Sequence, residues 1–165
     1  IVYLLVTGQD LWESANYLRS KALLSIWDWL EFVAANVYII GTVLFIIGSL
    51  FFLSEIGMIV AGSWCFIIGS LLFLVGACIN IIEILQATSL IKLQLLNITA
   101  IMFALGSTLF LVASIPYLWQ PIDMQEEWLL FTYVAWEYIV GSFLFLIGGI
   151  INYYRIYRNF QNFLS

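Results

Sequence analysis

The sequence predicts an all-α integral membrane protein: four transmembrane helices arranged as two parallel-repeated hairpins, with both termini on the inner side and an amphipathic interfacial helix in front. Three observations carry this. Of 165 residues, 64% are hydrophobic and 9% are charged, whereas a soluble domain carries about 25% charged residues. Four apolar runs are each long enough to cross a bilayer, which takes about 20 residues. All five basic residues fall on one side of the alternating connections.

Residues 1–31 form the first element. Asp10 and Glu13 have the spacing of a capping box. Leu11, Ala15, Leu18, Ala22, Ile26, Trp29 and Val33 then recur at three- and four-residue steps as one apolar stripe. Trp12, Trp27 and Trp29 suit a headgroup region. Two readings stand level: a helix lying on the inner membrane surface, or one docked on a partner protein. The first hairpin, residues 32–84, has spans from about Phe32 to Leu53 and from about Ile56 to Ile82, joined tightly at Ser54 and Glu55. An inner loop, 85–94, leads to the second hairpin, 95–155, with spans from about Leu95 to Leu118 and from about Trp128 to Tyr154. Pro116 should end or kink the third span. Asp123, Glu126 and Glu127 favour a helix N-terminus projecting above the fourth. Residues 156–165 make an inner tail.

Orientation follows from charge. Arg19, Lys21, Lys92, Arg155 and Arg158 lie before the first span, between the second and third, and after the fourth. The charged residues of the other two connections are all acidic: Glu55, Asp123, Glu126 and Glu127. The positive-inside rule places the basic side in the cytoplasm, matrix or stroma. A bacterial inner, thylakoid or mitochondrial inner membrane is expected. The chain begins with Ile1, so a segment removed before it stays open.

Composition also excludes. Without histidine, histidine-ligated haem, the usual zinc sites and a histidine general base are unavailable. A net charge of −5 speaks against nucleic acid as a partner. Cys65 and Cys78 are 13 positions apart in one run, too far along a helix for a disulfide. No nucleotide-binding or catalytic motif is visible, so an enzyme is not expected.

The spans repeat one another. Each carries a Gly-Ser step followed by apolar bulk: Gly48-Ser49, Gly69-Ser70, Gly106-Ser107 and Gly141-Ser142. Trp64, Gly69, Ser70, Phe73, Leu74, Gly76 and Asn80 match Trp136, Gly141, Ser142, Phe145, Leu146, Gly148 and Asn152 at one constant offset. Such self-similarity marks a duplication, with a pseudo-two-fold axis along the membrane normal. Gly41 and Gly48, Gly62, Gly69 and Gly76, and Gly141 and Gly148 recur seven apart, with Thr99, Gly106 and Ala113 keeping the step in the third span. That period holds one seam toward a neighbouring helix, and small residues there let backbones approach.

These repeats resemble the YrhK-like family of small membrane proteins, whose core reads here Phe45-Ile46-Ile47-Gly48-Ser49-Leu50-Phe51 and Phe66-Ile67-Ile68-Gly69-Ser70-Leu71-Leu72-Phe73. The third and fourth spans then make a second, diverged copy, with Gly106-Ser107-Thr108-Leu109-Phe110 and Gly141-Ser142-Phe143-Leu144-Phe145. The resemblance implies a tetraspan fold and no particular activity.

Candidate sites are few. Glu137, flanked by Trp136 and Tyr138, is an ionisable group inside a span and a candidate for a ligand or proton. The competing reading is a carboxylate held by a neighbouring helix or reached by water. Glu83 and Arg155 follow Asn80 and Asn152 at the same step and are candidates for an ion pair between the repeats. The expected function is a non-catalytic accessory subunit of a larger membrane complex, bioenergetic or pigment-containing. Its surface would hold lipids, quinone, chlorophyll or carotenoid, and its partners would be lipids and other membrane subunits or a second copy. The alternative is a small proton- or cation-coupled transporter or channel using Glu137.

Overall fold

The computed structural model describes residues 2–20, 25–85, 90–118 and 124–164, nearly all of them helical. The helices are α1 (Val2–Ser20), α2 (Ile26–Phe51), α3 (Ile59–Ile84), α4 (Leu90–Ser114) and α5 (Met124–Leu164). Four stretches are long and apolar enough to cross a membrane: Ile26–Phe51, Ile59–Ile82, Leu93–Leu118 and Trp128–Arg155.

Several boundaries differ from the sequence reading, each for a local reason. The apolar stripe does not continue from α1 into α2. Ser25 stands in extended backbone (ψ 157°), and a capping box with Asp28 starts α2 at Ile26. Satisfying two helix-end donors reciprocally outweighs the periodicity that runs through the break. Ile26, Trp29 and Val33 of the stripe are exposed. The turn between α2 and α3 is longer than Ser54-Glu55. It extends to Met58 because the Ile56 and Gly57 amides both donate to the Leu53 carbonyl, and Gly57 takes φ 62°, a conformation open to glycine. The proline expectation holds: α4 stops at Ser114 and a 3₁₀ turn follows over Ile115–Leu118. At 41 residues, α5 is about 60 Å long; it begins four residues before the apolar stretch Trp128–Arg155 and runs nine residues past it. Asp123 lies outside the described residues, as do the side chains of Glu126 and Glu127.

Helix α2 packs on α3, α3 on α4, and α4 on α5, while α1 packs on α2 and touches α5. Within each hairpin the glycines admit rings. A Cβ on Gly41 would lie 2.9 Å from the Phe73 ring and 3.3 Å from the Gly69 carbonyl; on Gly69, 2.7 Å from Phe45 and 3.3 Å from the Gly41 carbonyl. In the second hairpin a Cβ on Gly106 would meet Phe145 at 3.1 Å and the Gly141 carbonyl at 3.2 Å, and one on Gly141 would meet Phe110 at 2.8 Å and the Gly106 carbonyl at 3.3 Å. Gly76 likewise lies under Tyr38, and Gly148 under Phe103.

These contacts fix the register of the duplication. Residues of α3 map onto α5 at 72 positions on, as Trp64 and Trp136 suggest. Residues of α2 map onto α4 at 65 positions on, so Gly106-Ser107 is the counterpart of Gly41-Thr42 and not of Gly48-Ser49. The Gly-Ser step alone places the third span one heptad out. Gly48 and Ser49 correspond instead to Ala113 and Ser114.

With that register, the core is a column of ten rings in five counterpart pairs, and every pair touches across the axis. Phe45 stacks on Phe110 at 4.9 Å, Phe73 meets Phe145 at 4.7 Å, and Tyr38 meets Phe103 at 5.3 Å. Phe66 meets Tyr138 at 5.4 Å and Phe52 meets Tyr117 at 5.2 Å. The contacts within a hairpin recur as well: Phe45–Phe66 as Phe110–Tyr138, Phe45–Phe73 as Phe110–Phe145, Tyr38–Phe73 as Phe103–Phe145 and Phe52–Phe66 as Tyr117–Tyr138. A pseudo-two-fold axis therefore runs through the column. Aromatic pairs are worth about 0.5–1.5 kcal/mol each beyond area burial. They matter here because hydrocarbon outside removes the hydrophobic drive for helices to associate.

Each copy carries a polar side-chain contact between its two helices. Asn80 Nδ2 donates to Tyr38 Oη at 2.8 Å in the first, and Ser114 Oγ and Tyr138 Oη share a 2.9 Å hydrogen bond in the second. The counterpart of Tyr38 is Phe103, so the column accepts a plain ring at that level. Tyr38→Phe should keep the fold and cost about 0.6–1.7 kcal/mol, read by thermal unfolding in detergent; no change would mean that the bond contributes nothing.

Candidate functional site

The pseudo-symmetry makes a further demand that the molecule does not meet. If α2 corresponds to α4 and α3 to α5, the α3–α4 interface should recur between α5 and α2. The α3–α4 interface is closed along its length, whereas α2 and α5 are not packed together in the same way. Between them lies a lateral crevice of about 650 Å³. Its floor is the ring column, namely Phe45, Phe66, Phe73, Phe110 and Phe145, and its walls include Thr42, Ile46 and Ser49 of α2 and Ser142, Leu146 and Tyr153 of α5. From Ser142 to Tyr153 it follows about 16 Å of helix. Leu146, Ile150 and Tyr153 are 55%, 61% and 51% exposed, so the crevice opens sideways and not into a channel.

Burial shows the asymmetry at two of four counterpart positions, with Thr42 and Gly149 buried on both sides of the comparison. Ser107, Ser114 and Ser70 are 0% exposed and Ala77 is 1% exposed. Their counterparts are Thr42, Ser49, Ser142 and Gly149, which all line the crevice, and Ser49 and Ser142 are exposed. The threonine and serine wall hydroxyls make no polar demand on an occupant. Thr42 donates to the Tyr38 carbonyl, Ser49 to that of Phe45 and Ser142 to that of Tyr138, each at 2.7 Å. Chemically the crevice is hydrocarbon-like over most of its length, with the Thr42, Ser49 and Ser142 hydroxyls satisfied within their own helices and the Tyr153 phenol at one end.

The candidates read from the sequence fare differently. The helix-packing glycines all stand at helix contacts: Gly41, Gly48, Gly62, Gly69 and Gly76 in the first hairpin and Gly106, Gly141 and Gly148 in the second. The paired serines divide, with Ser70 and Ser107 in the closed seam and Ser49 and Ser142 in the crevice. Glu137, Trp136 and Tyr138 do not converge. Successive helical residues point about 100° apart: Trp136 faces outward at 62% exposed, Tyr138 joins the ring column, and Glu137 is half-buried between them. Glu137 holds the place that Cys65 has in the first copy, where the Cys65 Cβ lies 3.1 Å from a Cβ built on Gly48. It is not among the residues lining the crevice. Asn80 and Asn152 are buried counterparts, each 3% exposed. Asn80 bonds within its own hairpin, to Tyr38. The Glu83 side chain lies outside the described residues, so the expected pair with Arg155 falls there too. Among the described residues no group of His, Cys, Asp and Glu is placed to hold a metal. Sequence reading missed the crevice, and the row of small residues along its walls, which includes Thr42, Ser49, Ser142 and Gly149, carries no signal that would have set it apart from the closed seam.

Comparison with curated proteins and with solved structures found no match. A family model described as YrhK-like protein matches twice, over residues 28–85 and 90–156. The two matches correspond to the two hairpins related by the axis, α2 with α3 and α4 with α5. The chain therefore belongs to the YrhK-like family, as two tandem copies of its domain.

Proposed function

We propose that this protein is a non-catalytic tetraspan that takes one hydrocarbon chain of a membrane lipid into the crevice between α2 and α5, and so serves as an accessory subunit of a larger membrane complex. The observation that carries the reading is the crevice itself. It lies within two stretches able to span a membrane, its walls are apolar, and it is open to the side from which lipid arrives. Pockets that hold ligands run from about 300 to 1,000 Å³ and are mostly apolar. The exposed faces of α3 and α5, including Trp64, Ile68, Val75, Trp136 and Phe143, suit contact with lipid or with neighbouring membrane subunits.

The test is purification in detergent without added lipid, followed by native mass spectrometry. The expected result is a stoichiometric apolar adduct that is lost in Ser49→Leu/Ser142→Leu, where branched side chains fill the crevice. An adduct retained unchanged by that variant would overturn the reading, and the adduct's mass would separate a phospholipid from a quinone or a pigment. The same preparation tests the accessory role, because co-migrating membrane proteins in fixed ratio are expected.

Coupled transport through Glu137 gains no geometric support, since the carboxylate stands off the crevice. Glu137→Gln should leave adduct binding unchanged and shift stability by no more than about 0.5 kcal/mol. Loss of the adduct in that variant would return Glu137 to the site.

A further inference from the structure

The crevice has the chemistry of an interface. Across α3–α4 the ring contacts Phe73–Phe103 (5.9 Å) and Phe66–Phe110 (5.4 Å) set the register. They bring Ser70 level with Ser107 and Ala77 level with Ala100, all 0–1% exposed. By the same duplication, Ser142 stands level with Thr42 across the crevice, while Gly149, also in the lining, falls level with Ala35, which is buried outside it. The open walls thus carry small residues at the positions that let the closed seam close, and small residues are what allow membrane helices to come together. A surface meant to stay open to lipid has no need of them. The crevice hydroxyls already bond to their own helices, Thr42, Ser49 and Ser142 each to a carbonyl one turn back, as Ser107 and Ser114 do at 2.6 Å on α4, whereas the buried Ser70 hydroxyl of the closed seam has no hydrogen-bond partner. Closing therefore breaks no hydrogen bond.

We infer that the α2–α5 crevice is a closable seam: when its hydrocarbon chain leaves, α2 and α5 approach in the manner of α3 and α4, and the chain's return wedges them apart. This regulation rests on the lipid-binding reading for its trigger, while the closure itself rests on the duplication. The two ends of the equilibrium are a bundle with four closed seams and the present one with three. The occupant shifts the balance only because it fits the open state and has no room in the closed one. Helix α1 is placed to report the change, since it packs on α2 and touches α5, the two helices that would move.

The test is a disulfide across the seam. In a background with Cys65→Ala and Cys78→Ala, Thr42→Cys/Ser142→Cys probes the crevice and Ser70→Cys/Ser107→Cys the closed seam. A disulfide forms only when the two Cα atoms come within about 7 Å. The protein is stripped of lipid in a fluorinated surfactant and oxidised with and without added palmitic acid. The expected result is that the control pair links in both conditions, whereas the crevice pair links when stripped and links at least several-fold less with palmitic acid. Linking of the crevice pair to the same extent in both conditions keeps closure but overturns control by the occupant. Failure of the crevice pair to link in either condition, with the control pair linked, overturns closure. The native mass spectrum of the unsubstituted protein decides lipid binding separately.

Discussion

Gly69→Leu should prevent the first hairpin from closing. Even a methyl group at Gly69 would lie 2.7 Å from the Phe45 ring and 3.3 Å from the Gly41 carbonyl. The ring can give way only by leaving its place against Phe66, Phe73, Phe110 and Phe145, and the opposing backbone can give way only by separating α2 from α3. Overpacking typically costs about 1–3 kcal/mol and occasionally more; a leucine against both ring and backbone belongs at the upper end. The duplication makes the result checkable twice, because Gly141→Leu meets Phe110 and the Gly106 carbonyl in the same way. Gly8→Leu is the control, with nothing within 4 Å of its Cβ position. Thermal unfolding in detergent should show large losses for the first two and almost none for the third. Equal behaviour of all three would mean that the glycine seams do not hold the bundle.

Phe73→Ala should cost about 3–5 kcal/mol. Phe73 is 1% exposed and its ring meets Tyr38, Phe45, Phe103 and Phe145, which come from the three other helices of the bundle. Deleting it opens a void at the centre of the column and leaves Gly41 without the ring it was shaped to receive. Leu71→Ala, two positions away and 48% exposed, should change stability by no more than about 0.5 kcal/mol. A Phe73→Ala protein as stable as the Leu71→Ala protein would show that the rings fill space without ordering the fold.

The spans were legible because each exceeds the length of a bilayer crossing with hardly a charge inside it. The match of α3 to α5 was legible because Trp64, Gly69, Gly76 and Asn80 repeat at one offset. The match of α2 to α4 is ambiguous by one heptad from the Gly-Ser steps alone, and the cause lies in the seam. A row of small residues seven apart looks the same after a slip of seven, so Gly41-Thr42 and Gly48-Ser49 compete for the same partner. The rings break the tie, since only one register aligns Tyr38, Phe45 and Phe52 with Phe103, Phe110 and Tyr117. The start of α2 was hidden by a stripe that runs on through the helix break, although Ser25 and Asp28 carried the capping signal.

The crevice was not legible at all. Its walls and the closed seam share one pattern of small residues, and sequence pattern alone says that both close. Glu137 drew attention because membrane carboxylates are rare and costly, yet helical geometry sends its two aromatic neighbours elsewhere. The chemistry of the site lies in a predominantly apolar lining, which no single residue announces.

The central claim is that one of two counterpart seams stands open. Spin labels at lipid-facing positions test it with the molecule as its own ruler. Val43 on α2 corresponds to Thr108 on α4, and Phe143 on α5 corresponds to Leu71 on α3, and all four are exposed. Pulsed dipolar spectroscopy in lipid vesicles should give a Val43–Phe143 distance clearly longer than the Thr108–Leu71 distance. Equal distances in lipid would contradict the account, because the bundle would then be closed on both sides and no crevice would exist for a lipid chain to enter.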